Sequence, residues 1–305
     1  MAIQQPFLLG LLAEEFLHAG SGQSTGVIDL PVAREGHTGW PYIPDTAVKG
    51  ALKEWDKEWD NGCKWVESVY GKEDTGAGEA MIGGARLLFL PIRHLEGTYA
   101  WVTCPALLER FWRDWDRFFL QEPFAASLFQ RGGSLASNGD DKIRTNLVSA
   151  NTKLHLEDLV FDAEPLDSAN LQELSEKIDG LLGGTPAKDR LIKQIAVVTD
   201  AIFGEFARWA LPVQARNHLD DNKLSKNLWY EETLPPDTLL YVPIASRKTA
   251  ASEHYRNFSD NFASPPYRRF GGNESVGQGW VHVSRVPITS VVASASGNGI
   301  GGDNG

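Results

Sequence analysis

The segment PFLLGLLAEEFLHAGSGQSTGVIDLPVAREGHTGWPYIPDTAVKGAL, residues 6–52, contains the most informative pattern for predicting the fold. It opens with a short apolar run, residues 6–18, whose length and interruption by Gly10 favour a buried strand over a helix. A loop rich in glycine and serine follows at residues 19–26. Asp45 then precedes a helical stretch from Thr46 to about Trp59 and is a good N-cap. The segment predicts a strand, a long loop and a helix.

Strands and helices alternate irregularly over the rest of the chain. Apolar runs predict strands at residues 85–92, 98–104, 153–165, 193–200, 238–246 and 280–286. Helical spacing predicts helices at residues 105–119, 169–182 and 201–211, the last capped by Asp200, and the aromatic stripe of the first is expected in the core. Residues 213–219 and 227–234 flank a polar tip and predict a β-hairpin. This order predicts an α+β fold with ferredoxin-like βαββαβ character.

The bulk composition constrains the function. The net charge of −11 argues, by itself, against a nucleic-acid partner. Residues 244–270 are a local exception, because basic residues alternate there with aromatic ones; this suits a single-stranded RNA path or, alternatively, a basic surface loop. The two cysteines, Cys63 and Cys104, lack CxxC spacing, which excludes a zinc-site pattern and favours a reducing cytoplasm. No signal peptide and no membrane span are expected.

Two features suit contact with phosphates. Lys49 lies near the start of the helix that Asp45 opens, where free N–H groups attract anions; a solvated lysine is the alternative. The loop GGNESVGQG, residues 271–279, offers backbone N–H groups before a strand, although a plain hairpin turn explains it too. It is neither a P-loop nor a dinucleotide fingerprint, because no GK[ST] and no helix follow.

Residues 18–37 collect groups that can cleave RNA. Asp29 lies close in sequence to His18, Arg34 and His37. A carboxylate can position a divalent metal ion or accept the proton of a 2′-hydroxyl. A structural ion pair between Asp29 and Arg34 is the alternative.

Together these blocks resemble the RAMP superfamily of CRISPR proteins. The resemblance rests on the Gly-rich segment after the first strand, Asp-x-Pro at Asp29 with Arg34 downstream, and PYIPDTAVKGAL at residues 41–52, which is similar to the element P-x-IPGSSLKGALR. Within the superfamily, HAGSG, VIDLPVARE, NLWYEETLPPDTLLY and RRFGGNESVGQGWV resemble the Cmr-type backbone ribonuclease. The match runs from residue 7 to about 285 and is weaker over residues 130–190. Asp45 stands where glycine is more usual.

The resemblance implies a ferredoxin-like (RRM-like) RAMP core with inserted loops and a β-hairpin thumb. A single domain would span residues 1–286, with an insertion at about 130–190, the thumb at about 213–232, and a flexible low-complexity tail at 287–305. The chain would be a cytoplasmic backbone subunit of a type III-B complex. Its copies would form a filament along the CRISPR RNA, beside other Cmr subunits, and would cleave single-stranded target RNA at regular intervals.

The resemblance also assigns roles to residues. Asp29 would be catalytic and would hold a divalent metal ion, Mg²⁺ or Mn²⁺, with His18 and Glu232 beside it; Glu231 is an alternative to Glu232. The residues expected to bind RNA are Arg34, Lys49, Lys53, Arg216, Asn222, Lys223, Arg268, Arg269, Gly271, Gly272, Asn273, Gly277 and Gly279. One carboxylate supplies too few ligands for a divalent metal ion, so RNA or backbone oxygens would complete the coordination shell of the ion.

Two other functions remain open at this stage. A scaffold subunit would share the fold and the guide contacts but would not cleave. A guide-processing endonuclease of the same superfamily would act alone through histidines, and the hairpin and VIDLPVARE fit it poorly.

Overall fold

The structure is a computed structural model that describes residues 4–58, 65–72, 76–118, 139–148, 152–166, 168–263 and 266–286. Its helices are α1 Asp45–Glu58, α2 Val66–Tyr70, α3 Pro105–Phe118, α4 Ser168–Leu182, α5 Ala187–Gln194, α6 Asp200–Trp209 and α7 Glu253–Asp260. Its strands are β1 Gln4–Ala13, β2 Tyr42–Ile43, β3 Gly71–Lys72, β4 Gly76–Ala77, β5 Ala80–Ile82, β6 Ala85–Arg93, β7 Tyr99–Thr103, β8 Lys142–Thr145, β9 Lys153–Leu156, β10 Leu159–Pro165, β11 Ile195–Val197, β12 Val213–Leu219, β13 Ser225–Glu232, β14 Leu239–Ser246, β15 Tyr267–Arg269 and β16 Trp280–Arg285.

The ferredoxin-like core predicted from the sequence is confirmed. Four strands lie in the order β16-β1-β14-β6, and all neighbouring pairs are antiparallel. Helix α1 links β1 to β6 in sequence, and α7 links β14 to β16. This is the split βαβ arrangement, in which a later strand inserts between two parallel ones.

Both faces of strand β1 are buried. Phe7, Leu9 and Leu11 belong to the core cluster that also contains Val48 and Leu52 of α1. Leu8 and Leu12 point to the opposite face and belong to a second core beneath α3 and α4. Gly10 allows α4 to pack closely on the strand, because a Cβ at this position would lie 1.8 Å from the carbonyl oxygen of Leu181. Because both faces of this strand are buried, its sequence from residue 6 onward is a continuous run of apolar residues and does not alternate with polar ones.

The sheet continues past β6 through β7, β11, β8, β10 and β9. Residues 142–145, expected to be loop, form β8, which pairs in parallel with β10 and antiparallel with β11. The single strand expected at 153–165 is a hairpin, with β9 and β10 joined at Glu157 in a left-handed conformation. Strands β8, β9 and β10 therefore extend the main sheet, and the region continues into helices α4 and α5. Residues 130–138, 149–151 and 167 and the tail 287–305 lie outside the described residues.

Two expected helix caps are wrong. Helix α1 already includes Asp45, and the N–H of Val48 donates to the carbonyl of Pro44. Thr199, not Asp200, caps α6, because its hydroxyl accepts the N–H of Ile202. Both errors are a single residue in size, which is the usual uncertainty of a helix end.

The basic and aromatic stretch 244–270 does not form an aromatic RNA platform. It contains α7, and Tyr255, Phe258, Phe262 and Phe270 are buried in the core. Tyr267 is the one exposed aromatic side chain of this stretch, with 43% of its surface accessible. The spacing of these rings reflects the packing of α7 against β1, where Phe7 contacts three of them.

The predicted β-hairpin is present as β12–β13, and it forms a two-stranded sheet separate from the main sheet. Val213 pairs with Glu232 at its base, and Leu219 pairs with Ser225 near the tip. Most of its side chains are exposed, except at the base, where Glu231 and Glu232 are buried. Among the described residues, no helix combines the length and apolar composition that a membrane span requires.

Candidate functional site

The loop that carries Asp29 is attached to the base of the hairpin. The Asp29 carboxylate accepts the N–H of Tyr230 at 2.8 Å through Oδ2. The Leu30 N–H donates to the Tyr230 carbonyl at 3.1 Å, and the Glu232 N–H donates to the Leu30 carbonyl at 3.0 Å. The loop therefore runs beside β13 like a short added strand, and it holds the half-buried Asp29 beside the hairpin.

Glu232 also binds the loop that carries Asp29. Its side chain is buried, and its two oxygens accept from Arg34 at 2.6 Å and from the N–H of Val32 at 3.0 Å. Arg34 also donates to the carbonyl of Ala207 at 2.7 Å. The alternative of an Asp29–Arg34 ion pair is thus wrong, since Arg34 pairs with Glu232. In this geometry Glu232 and Arg34 position the loop, and their charged groups are engaged inside the protein.

His18 joins the site at the end of the first-strand segment. Its Nδ1 lies 2.8 Å from the carbonyl oxygen of Glu232, and the side chain is 9% exposed. Gly20 and Gly272 flank the ring, and a Cβ on Gly20 would come within 2.7 Å of Nε2. Glycine at these positions leaves room for the imidazole.

Glu231 organises the opposite side of the hairpin base. It accepts from the indole N–H of Trp229 at 2.6 Å, from Asn273 Nδ2 at 2.6 Å and from Arg216 Nε at 3.2 Å. Burial acts to raise the pKa of the Glu231 carboxyl, but the Trp229 and Asn273 hydrogen bonds and the charge of Arg216 outweigh it and hold the pKa below its usual range. Glu231 therefore stays ionised and fastens the hairpin to the 271–279 loop.

The 271–279 loop depends on glycine for close packing as well as for backbone conformation. Gly271 has φ +83°, and a Cβ there would lie 2.4 Å from the His18 carbonyl oxygen. The next residue, Gly272, donates its N–H to that oxygen at 2.9 Å. Gly279 has φ +86°, and its Cβ would meet the Phe270 carbonyl at 2.4 Å. Gly277 shares the left-handed φ, but nothing lies within 4 Å of its Cβ position.

The structure separates the residues expected to bind RNA into buried and accessible ones. Arg268 is 1% exposed and donates to the carbonyls of Tyr267 and Asn261, so the prediction that it contacts RNA directly is wrong for this structure. Its neighbour Arg269 pairs with Glu58 and Glu274, and Lys53 donates to the Gly71 carbonyl. Lys49 is half-exposed on α1. Asn222 and Lys223 are fully at the surface of the hairpin tip, where Lys223 has φ +63°.

An open pocket of about 390 Å³ lies between the Asp29 loop and the hairpin. Gln23, Ser24, Asp29 and Leu30 line one wall, and Asn227, Leu228 and Trp229 line the other. Gln23 and Asn227 could not be predicted from the sequence, because polar residues in loops and hairpins are common and only the folded chain brings these two together.

The described residues do not form a metal site by themselves. No group of three or more His, Cys, Asp or Glu side chains within them is arranged to hold a metal ion. Asp29 offers a carboxylate, one oxygen of which accepts the Tyr230 N–H. A divalent ion usually takes about six or more oxygen ligands, so Asp29 without RNA falls far short of the required number.

The chain is similar in sequence and in fold to known proteins. The CRISPR system Cmr endoribonuclease Cmr4 of Pyrococcus furiosus is 29% identical over 294 residues, which cover 93% of this chain and 97% of the relative. The crystal structure of oligomeric Cmr4 from Pyrococcus furiosus superposes with a TM-score of 0.72 at 24% identity and covers 94% of this chain and 99% of that chain. A cryo-EM structure of the type III-B Cmr-beta complex bound to cognate target RNA contains a chain that superposes with a TM-score of 0.71 at 23% identity, covering 94% of this chain and 99% of that chain.

The model of the RAMP superfamily matches residues 13–282 of the 305-residue chain. The matched region contains the Asp29 loop, α1, the hairpin and the 271–279 loop, which are the segments that the structure brings together. This chain belongs to the RAMP superfamily.

Proposed function

We propose that this chain is the target-cleaving backbone subunit of a type III-B CRISPR ribonucleoprotein and acts as an endoribonuclease. The observation that carries the proposal is the hydrogen bond between the Asp29 carboxylate and the Tyr230 N–H of the hairpin. A hairpin that separates a nucleotide from a guide–target duplex would place that nucleotide beside the carboxylate. The relative Cmr4 of Pyrococcus furiosus is named an endoribonuclease, which supports the same assignment.

The chemistry follows from the geometry of RNA. In an A-form helix the 2′-hydroxyl lies out of line with the adjacent phosphate, whereas a displaced nucleotide can adopt the in-line geometry. The 2′-oxygen would then attack the neighbouring phosphorus and displace the 5′-oxygen, which would take a proton from water. The products would be a 2′,3′-cyclic phosphate on one fragment and a 5′-hydroxyl on the other. Asp29 would accept the 2′-hydroxyl proton or hold the metal ion described below. Glu232, Arg34 and His18 would act as positioning residues, because their polar groups hold the Asp29 loop against β13.

A divalent metal ion, Mg²⁺ or Mn²⁺, is part of this proposal. When bound, it would neutralise charge that develops on the phosphate. Asp29 would supply one oxygen, and phosphate oxygens of the RNA would supply others, since the described residues contain no cluster of three candidate ligands. The ion would therefore bind with the RNA rather than before it.

We further propose that copies of this chain assemble along CRISPR RNA in the cytoplasm, with other Cmr subunits. The related structures of an oligomeric Cmr4 and of a Cmr complex with target RNA support this proposal. Lys49, Asn222, Lys223 and the backbone of the 271–279 loop are the candidates for guide and target contacts. Keeping basic groups along the RNA groove and acidic ones outside would reconcile RNA binding with a net charge of −11.

The deciding experiment is a target-cleavage assay on the assembled complex with wild-type chain or Asp29→Ala, in magnesium and in EDTA. Cleavage at regular intervals that requires metal, and that Asp29→Ala abolishes without weakening target binding, is the expected result. A complex that binds target without cutting it would instead make this subunit a scaffold. Cleavage of a repeat hairpin RNA by the isolated chain would favour a guide-processing enzyme.

A further inference from the structure

The pocket beside Asp29 has the chemistry of a site for a neutral, flat group. Of the side chains that line it, only Asp29 is charged, and none is cationic. None of the lining side chains offers a positive charge to a phosphate group inside the pocket, so a phosphate beside Asp29 would depend on the metal ion proposed above. Its volume of about 390 Å³ suits a single small group, and it opens to solvent beside the hairpin.

The walls of the pocket combine hydrogen-bonding and stacking surfaces. Gln23 and Asn227 belong to opposite walls, and each amide can both donate and accept. Leu30 and Leu228 add apolar surface. Trp229 adds an aromatic ring, and aromatic rings stack on all nucleobases. An amide on each wall with an aromatic ring beside them is the combination that recognises a nucleobase taken out of its stack.

Trp229 is held in place before any ligand arrives. Its indole N–H donates to Glu231 Oε1 at 2.6 Å, and Glu231 is itself buried and bonded to Asn273 and Arg216. The ring is therefore anchored through the hairpin base to the 271–279 loop. A fixed ring loses little conformational freedom when a base stacks on it, which favours binding.

We propose that this pocket receives the nucleobase of the displaced target nucleotide, which stacks on Trp229 and is hydrogen-bonded by Gln23 and Asn227. This inference rests on the proposed function and deepens it by assigning a base-binding site to the same cleft. A base docked here would bring its own ribose beside Asp29. Trp229, Gln23 and Asn227 would then control which nucleotide is cut efficiently, although none of them transfers a proton.

The test uses the assembled complex and target RNA with 2-aminopurine at the displaced position. Stacking on an indole quenches the fluorescence of this base, so we expect a dim complex with wild-type chain and a several-fold brighter one with Trp229→Ala. Asn227→Ala, a change at an exposed hairpin position, should brighten it to a smaller extent. Trp209→Ala is the matched control, because Trp209 is 75% exposed and outside the pocket, and it should leave the signal at the wild-type level.

A second measurement compares cleavage of a normal target with cleavage of a target that is abasic at the displaced position. Loss of the base and Trp229→Ala should each slow single-turnover cleavage about tenfold, in the range expected for one stacked base. Combining them should slow it no further, because both changes remove the same contact.

The pocket assignment is overturned if 2-aminopurine is equally bright with wild-type and Trp229→Ala chains, or if an abasic target is cut at the normal rate. A quenched base in a complex that cuts no target would support the pocket while refuting the ribonuclease function. The fluorescence and cleavage readouts thus separate the failure of one proposal from the failure of the other.

Discussion

Glu231 and Glu232 are adjacent, yet they serve different parts of the site. Successive side chains of a strand point to opposite faces, so the pair at the end of β13 fastens the hairpin on two sides. Glu232 binds the Asp29 loop through Arg34 and Val32. Glu231 binds the 271–279 loop through Asn273. Exchanging their roles would require a register shift of one residue along the strand.

Removing the Glu232 carboxylate should destabilise the chain as well as impair its function. Glu232→Ala removes the charged partner of Arg34 and the acceptor of the Val32 N–H, while Arg34 keeps its bonds to the carbonyls of Gly39 and Ala207. Arg34 is 25% exposed, so we expect a loss of about 2–3 kcal/mol in the free energy of unfolding, below the range for a fully buried pair. Urea denaturation of the isolated chain measures it.

The control for this change is Glu205→Ala, at an exposed glutamate on α6 whose hydrogen-bond partner is the indole of Trp209. Its effect should stay within about 0.5 kcal/mol. If the Glu232→Ala chain were as stable as wild type but the complex no longer cleaved its target, Glu232 would be a catalytic residue and not a positioning residue.

At the scale of single elements, the 271–279 loop illustrates two separate requirements for glycine. Gly271 and Gly277 both have φ +83°, a conformation that costs an L-residue about 1–2 kcal/mol. Only Gly271 is also packed against backbone, at the His18 carbonyl. The two positions therefore separate the conformational cost from the steric one.

We expect Gly277→Ala to lower the free energy of unfolding by about 1 kcal/mol. Gly271→Ala should lower it by clearly more, because its Cβ would lie 2.4 Å from the His18 oxygen and must push the loop away. Thermal and urea denaturation of the two variants side by side provide the comparison. Equal losses of stability in the two variants would mean that the loop can move away from the His18 carbonyl at little energetic cost.

Helix α7 is anchored at its start by a buried carboxylate. Glu79 accepts from the N–H and hydroxyl of Ser252, the N-cap of α7, and from Ser246, and it pairs with Lys248 at 2.8 Å. Burial raises the pKa of Glu79, but these hydrogen bonds, led by that of Lys248, outweigh it and lower the pKa from 4.5 to about 2. The folded state thus favours the ionised form.

A lowered pKa sets the sign of the pH dependence. The contribution of Glu79 to stability is complete above pH 4.5 and is lost as the pH falls toward about 2. Glu79→Gln should therefore be less stable than wild type at neutral pH, and the gap should narrow as the pH falls below 4.5. Urea titrations from about pH 7 to about pH 3 test this. A gap that is constant over this range would contradict the assignment.

At the scale of the whole molecule, the site is assembled from distant parts of the chain. The loop at residues 18–34, the hairpin base at 229–232 and the loop at 271–279 meet at one end of the sheet. Strand β1 lies between β14 and β16, and this order brings the segments that follow or precede these strands together. The proposed metal ion, by contrast, would need oxygen ligands from the RNA, because the described residues contain no cluster of three candidate ligands.

The isolated chain should therefore bind Mg²⁺ and Mn²⁺ too weakly to detect. The described residues contain no cluster of three candidate ligands, and Asp29 supplies only one carboxylate. Calorimetric titration of the chain alone should show no specific binding, whereas Mn²⁺ should bind the assembled complex once target RNA is present. Tight binding of one ion by the RNA-free chain would overturn the proposal that RNA completes the shell.

Local sequence patterns were sufficient to predict the class of fold, the ferredoxin-like core, the hairpin and the family. These depend on local signals: apolar period, turn residues and short motifs such as PYIPDTAVKGAL, each readable within about 15 residues. Helix α3 and strands β6, β7, β14 and β16 lie where those patterns predicted them. The same local signals failed at 142–145, where β8 is short and polar in composition and pairs only because its neighbours provide an edge.

Which polar residues face one another follows from the tertiary structure and could not be predicted from the sequence. Arg34 pairs with Glu232, almost two hundred residues away, rather than with nearby Asp29, and Arg268 is buried although a basic residue in a basic stretch suggests a surface. Gln23 and Asn227 share a pocket for the same reason. A side chain's partner depends on strand order and on which face it occupies, and neither is encoded in the spacing of residues along the chain.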